Sequence, residues 1–214
     1  MNSIRFVLNN KTYLAYLNEE FIGGIYKSDF KNLGLSVPED REFYIEDVSD
    51  ETITMIRDKV YDRAYNKAIG YVSTTECSAD TIRTKLRMKR FPDQIIDQVI
   101  DVMNEYGYLS DSRFVESYVR SYIRKKSRRL IEKEISDRGI DCSKYQELID
   151  NVYQDEGISE EDVIEGLINK KFRDQDLRDI KVKKRFMSYM MRHGFGYDKI
   201  NNYCQAFLIM SRND

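Results

Sequence analysis

Fifteen basic side chains, gathered in three clusters that recur along the chain, are the residues with the most chemistry to offer. Arg83, Lys85, Arg87, Lys89 and Arg90 share an eight-residue stretch, 83–90, that contains no acid. Arg124, Lys125, Lys126, Arg128, Arg129 and Lys133 belong to a stretch, 120–138, with eight basic and three acidic residues. Lys181, Lys183, Lys184 and Arg185 belong to a third, 170–192, with nine against three. Between the last two, residues 141–165 carry nine acids and one lysine. The net charge of −2 therefore conceals a strong partition. A charged helical face that only holds water also explains runs of this kind. Recurrence in step with a repeat instead favours one basic stripe, suited to a polyanion, to a partner's acidic groove, or to both.

Other chemistry finds little footing. The single histidine, His193, stands beside Gly194 at an expected helix end, where a capping role suffices. Cys77, Cys142 and Cys204 are odd in number and share no metal-like spacing, so reduced thiols are expected. No glycine loop followed by lysine and Ser/Thr appears; Gly23-Gly24 alone is a turn. Glu160-Glu161-Asp162 sits at a helix start, where the macrodipole explains acids. The sixteen tyrosines are read mostly as packing, with Tyr122 a candidate to stack on bases beside the second cluster. No enzyme activity, metal or cofactor is expected.

The basic clusters ride on a repeated apolar pattern. Ile82, Leu86, Phe91, Ile96 and Ile100 follow each other at steps of four, five, five and four. Ile131, Ile135, Ile140, Tyr145 and Ile149 repeat those steps 49 residues later, and Phe186, Met190, Phe195, Ile200 and Cys204 repeat them 55 residues after that. A step of four keeps two side chains on one helix face, while a five spans a turn. Each unit is thus a helix, a tight turn and a helix. A preceding helix is marked by Tyr65 and Ile69, Phe114 and Tyr118, then Val163 and Leu167. The expected fold is mainly α: a tandem array of three three-helix repeats, elongated and curved, over 57–109, 110–157 and 158–214. The six extra residues before the third unit fall near Arg173–Arg178, a polar stretch expected to form a longer loop.

Helix boundaries can be read in the same way. A stripe through Ile53, Ile56, Val60, Ala64, Ala68 and Tyr71 predicts a long helix from Ser49 to about Thr74. Ser78 and Asp80 start the next, Pro92 opens another and Gly107 ends it. Ser110 or Asp111 restarts the cycle, and Ser159 with Asp162 forms a capping box. Residues 1–56 read differently, as a small β-rich subdomain with five basic and ten acidic residues. Ile4, Phe6 and Leu8 alternate, Asn9-Asn10 turns, and Tyr13, Ala15 and Leu17 alternate back. Further strands are expected at Phe21–Tyr26 and Glu42–Glu46, with a short helix over Phe30 and Leu33 between them. Pro38 is expected to break the chain before the last strand. Such a segment needs the helices to pack on.

The compartment follows from what is missing. No apolar stretch approaches the ~20 residues of a membrane span. Met1-Asn2-Ser3-Ile4-Arg5 lacks the apolar run of a signal peptide, so export is not expected. A cytoplasmic monomer without a membrane partner is expected.

Residues 64–109 resemble the opening repeat of the RecX regulatory protein family. Gly107-Tyr108-Leu109-Ser110-Asp111-Ser112-Arg113-Phe114 resembles that family's Gly-Tyr-Leu-Asp-Asp-x-x-Phe signature. Lys126 through Ile135, with Arg138-Gly139-Ile140, resembles the second unit's basic helix and Lys-Gly-Ile turn. Arg192-His193-Gly194-Phe195 with Ile200 resembles the third unit's close. Arg90 stands where the first repeat has glycine, Ser127 where a glycine is common, and Glu76-Cys77-Ser78 in place of an Arg-Ser motif. The β-rich segment resembles an N-terminal extension carried by some members. The resemblance implies a regulator that lies in the groove of the RecA recombinase filament on single-stranded DNA and restrains its growth, ATP hydrolysis and strand exchange. Contact with single-stranded DNA itself would be weak, or confined to the filament. An independent nucleic-acid-binding array fits the same clusters, because acidic grooves and phosphate backbones attract the same side chains. A structural adaptor docking through the acidic β segment is a third reading.

Overall fold

The computed structural model describes residues 2–36, 40–173 and 175–210, with side chains as far as Gln205. Pro38, the expected chain break, lies outside the described residues. The chain divides into two compact units, one ending at Ser110 and one beginning at Asp111.

The first unit opens with an antiparallel sheet in the order β3-β2-β1-β4, built from β1 (Ile4–Asn9), β2 (Thr12–Leu17), β3 (Glu20–Tyr26) and β4 (Glu42–Ile45). Register sets Phe6 opposite Ala15 on one side and Phe43 on the other. Period-two alternation thereby puts Ile4, Phe6, Tyr13 and Ala15 on one buried face. Helix α1 (Lys27–Asn32) lays Phe30 on that face, with ring centroids 5.2 Å from both Phe6 and Tyr13. Gly23 of β3 lies at φ 131°, and a Cβ there would stand 2.5 Å from a Val60 methyl. Only glycine lets the strand cross so close to α2 (Asp50–Val72).

Helix α2 begins with Ser49, whose Oγ accepts from the Thr52 N–H, and buries Ile53, Ile56, Val60, Ala64 and Ala68. It therefore runs through the expected division at 56/57, because its apolar stripe starts before that point. Helices α3 (Ala79–Met88) and α4 (Asp93–Glu105) complete the three-helix repeat. Sheet and repeat share one core that extends from Ile4 to Leu109.

The second unit contains α5 (Asp111–Tyr122), α6 (Arg128–Ser136), a 3-10 turn (Cys142–Tyr145) and α7 (Gln146–Glu156). These are followed by α8 (Glu160–Lys171), α9 (Ile180–Arg192) and α10 (Tyr197–Met210). Two cores form here, one around Ile131, Ile135 and Ile149 and one around Phe186, Met190 and Ile200, with Ile158 packed against both. Every residue of the apolar pattern is buried except Phe91 and Tyr145, which are half-buried at their turns. The caps follow the same period. Ser78 Oγ accepts from the Thr81 N–H and Ser127 Oγ from the Leu130 N–H, and both serines are buried. The Ser159–Asp162 capping box is reciprocal, as its spacing predicts.

Candidate functional site

The first basic cluster lies on α3 and the turn that follows. Pairing α3 with α4 brings the acids of the first turns of α4 against the arginines of α3. Arg83 pairs with Asp97 and Arg87 with Asp93, each at 2.7 Å. Lys85 is half-buried, its Nζ 4.7 Å from the Tyr71 ring centroid and 3.9 Å from Cys77 Sγ. Burial holds the Cys77 thiol above its ordinary value, the Lys85 ammonium notwithstanding. Lys89 and Arg90 remain exposed, with no ion-pair partner among the described residues.

The second cluster divides in a similar way. Lys126 Nζ donates to Glu134 at 2.5 Å, sits 3.9 Å from the Tyr122 ring centroid, and shares Glu134 with the Tyr118 hydroxyl at 2.7 Å. Burial alone would raise the Glu134 carboxyl; the bonds from Lys126 and Tyr118 outweigh it and hold the group below its ordinary value. Burial and the adjacent carboxylate push the Tyr118 hydroxyl far up. Tyr122 therefore has two lysines over its ring already, Lys126 and, at 5.5 Å, Lys125. Arg128 donates to Glu132 at 2.7 Å, Asp150 at 2.5 Å and Gln146 at 2.8 Å, which ties α6 to α7. Lys133 pairs with Asp137 one turn on, at 2.6 Å. Lys133 is exposed despite that pair; of the other exposed members, Arg124, Lys125 and Arg129, only Arg124 meets a carboxylate among the described residues, Glu156 at 3.5 Å.

In the third cluster, Arg185 donates to the Gln175 side chain and lies over Phe172. Lys181 and Lys184 are exposed without an ion pair among the described residues, and Lys183 is half-buried. Position in sequence does not separate these roles. Geometry does: Arg83, Lys85, Arg87, Lys126, Arg128, Lys133 and Arg185 are engaged within their own repeats, Arg124 is exposed yet paired with Glu156, and Lys89, Arg90, Lys125, Arg129, Lys181 and Lys184 reach solvent with no ion pair among the described residues.

Two features carry no sequence signal. His193 ends α9, as expected, but its Nδ1 also lies 2.6 Å from the Lys125 carbonyl oxygen. The Ser127 N–H donates to the His193 carbonyl at 2.8 Å, so the third repeat's turn is seated on the second repeat's basic turn. Arg63 and Lys67, on α2 and outside every basic run, line an open groove of about 420 Å³ together with Lys89 and Arg90. Only folding brings those four together. No helix among the described residues is long and apolar enough to cross a membrane.

Two family models match in succession: "RecX, first three-helix domain" over residues 64–101 and "RecX, second three-helix domain" over residues 110–147. Regulatory protein RecX of Clostridium acetobutylicum is 28% identical over 152 residues, covering 68% of this chain and 69% of that protein. Regulatory protein RecX of Bacillus velezensis is 30% identical over 141 residues, covering 65% of this chain and just over half, 53%, of that one. A solved structure described as the crystal structure of regulatory protein RecX aligns at a TM-score of 0.49 and 16% identity, over 96% of this chain and 100% of that chain. The two domains fall on the two repeats that carry Lys89, Arg90, Arg124, Lys125 and Arg129, and the chain belongs to the RecX family.

Proposed function

We propose that this protein regulates recombination by binding the RecA filament on single-stranded DNA and restraining its assembly, ATP hydrolysis and strand exchange. What carries this reading is the succession of two RecX three-helix domains, each with exposed cations beside its middle helix, of which Lys89, Arg90, Lys125 and Arg129 have no ion pair among the described residues. Cations that recur with a sequence repeat suit a helical filament, which presents its own surfaces periodically. Several weak contacts then add up to useful avidity. Contacts through Lys89, Arg90, Arg124, Lys125, Arg129, Lys181 and Lys184 leave the engaged arginines and lysines to hold the helices.

The test follows ATP hydrolysis by RecA on single-stranded DNA with and without this protein. Inhibition is expected for the parent chain. Reversing Arg124, Lys125 and Arg129 to Glu should weaken it at least tenfold in half-inhibiting concentration, roughly 1.4 kcal/mol. Arg128 is left in place because its reversal would set a carboxylate against Glu132 and Asp150. A parent chain without effect on hydrolysis would sink the proposal.

A further inference from the structure

The open groove in the first unit is walled by the Asn9-Asn10 hairpin turn and Tyr26 on the sheet side, by Arg63 and Lys67 of α2, and by Lys89 and Arg90 of the α3–α4 turn. Among the described residues no acidic side chain lines it, although residues 1–56 carry twice as many acids as bases. Arg63 is held from behind: it donates to the Gly24 carbonyl at 3.1 Å and to buried Asp29, and its guanidinium carbon stands 4.2 Å from the Tyr26 ring centroid. Tyr26 is thus a braced platform, 45% exposed. Lys67, Lys89 and Arg90 are left with their charge unanswered among the described residues.

Arg90 carries the most information. It lies at φ 61°, in the left-handed region, where a Cβ is strained. The same position in the second and third repeats is Gly139, at φ 80°, and Gly194, at φ 89°. The first and third turns close alike: Arg90 N–H donates to Arg87 and Phe91 N–H to Leu86, as Gly194 does to Met191 and Phe195 to Met190. Two of three equivalent turns use the relaxed residue. The one that does not points to a use for its side chain.

We infer that this groove binds a segment of single-stranded nucleic acid, with backbone phosphates on Lys67, Lys89 and Arg90 and a base on the open face of Tyr26. Stacking surface flanked by cations is the general chemistry of strand binding. An acidic peptide would call for donors alone, whereas Asn9 and Asn10 offer donors and acceptors, which suits base edges. The inference rests on the proposed function only in taking a single strand as a partner.

The test measures fluorescence anisotropy of a labelled oligothymidylate with the full chain, across salt concentrations, alongside RecA ATP hydrolysis. Arg90→Gly removes the cation while relaxing the backbone. It should weaken strand binding about fivefold at 0.1 M salt and lower the log–log salt slope by about 0.7, as expected for one lost phosphate contact. Its thermal midpoint should hold or rise, by about 2–4 °C at most. Lys67→Glu with Lys89→Glu should weaken binding further. Unchanged strand affinity in both variants overturns the inference, as does an affinity loss that merely tracks a lowered midpoint. So does displacement of the strand by polyglutamate at equal charge, which would assign the groove to an acidic peptide. If strand binding responds as expected but RecA hydrolysis is never affected, the groove stands and the filament reading fails. If Arg90→Gly alters RecA inhibition and leaves strand binding untouched, the groove assignment fails instead.

Discussion

At the scale of single residues, the turns within the repeats are held by small polar groups. Ser127 caps α6 with its hydroxyl while its own N–H reaches the His193 carbonyl, so it serves two repeats at once. Ser127→Ala should cost about 1 kcal/mol, the usual value of a lost N-cap, and Ser78→Ala about the same in the first repeat. Chemical denaturation measures both. Gly194 tolerates less. A Cβ there would stand 2.3 Å from Ser127 Oγ and 2.4 Å from Leu130 Cβ, at a positive φ. Gly194→Ala should therefore cost about 1–3 kcal/mol, more than either serine, because overpacking adds to backbone strain. A Gly194→Ala variant as stable as its parent would mean that the two turns are not seated together in solution.

At the scale of elements, Ile135 fixes α6 to its repeat and is fully buried. Ile135→Ala should cost about 2–4 kcal/mol. Since the second and third repeats meet through Ser127, His193 and Ile158, the loosening should spread into residues 158–205. Hydrogen exchange confined to 111–157 would show the two repeats opening independently. The junction of α5 and α6 also has an acid limb. Glu134 has a depressed folded value, so its bonds to Lys126 and Tyr118 support the fold fully above the ordinary glutamate range, and that support is lost as pH falls from there through the depressed value. Glu134→Gln should lower stability at pH 7 yet flatten the decline below about pH 4.3. Urea midpoints at pH 7 and pH 3.5 give the comparison, and parallel declines in the two chains would remove Glu134 from the acid limb.

At the scale of the whole molecule, charge decides between a filament modulator and an independent strand binder. Direct binding to bare single strands should weaken with salt at about −0.7 log units per phosphate neutralised. A protein filament adds apolar and hydrogen-bonded contacts that salt screens less. Inhibition of RecA is therefore expected to persist at salt concentrations that already release bare strands. Inhibition and strand binding that fall together, with hydrolysis lost only when the strand is fully coated, would reduce the protein to a competitor for DNA.

The repeats were legible in the chain because burial is periodic. Steps of four and five named the buried residues of all three modules, and Ser49, Ser78, Ser159 and Gly107 marked helix ends through capping chemistry that is local in sequence. The sheet was legible for a related reason, since alternation at Ile4–Leu8 and Tyr13–Leu17 is enough to define a hairpin. The candidate surface was only half legible. Sequence showed where positive charge accumulates, but a run such as 124–133 does not say which arginine meets an acid twenty residues away. Arg128 was claimed by Asp150, and Lys126 by Glu134 and two tyrosines, while the adjacent Arg129 has no ion pair among the described residues. Lys67 and Arg63 joined Lys89 and Arg90 only because α2 packs against α3 and α4, and Gly23 lets the sheet close on α2 to add Asn9, Asn10 and Tyr26. Periodicity is a property of one segment and survives in the sequence; the neutralisation of a charge depends on which segments meet, and tertiary packing alone decides that.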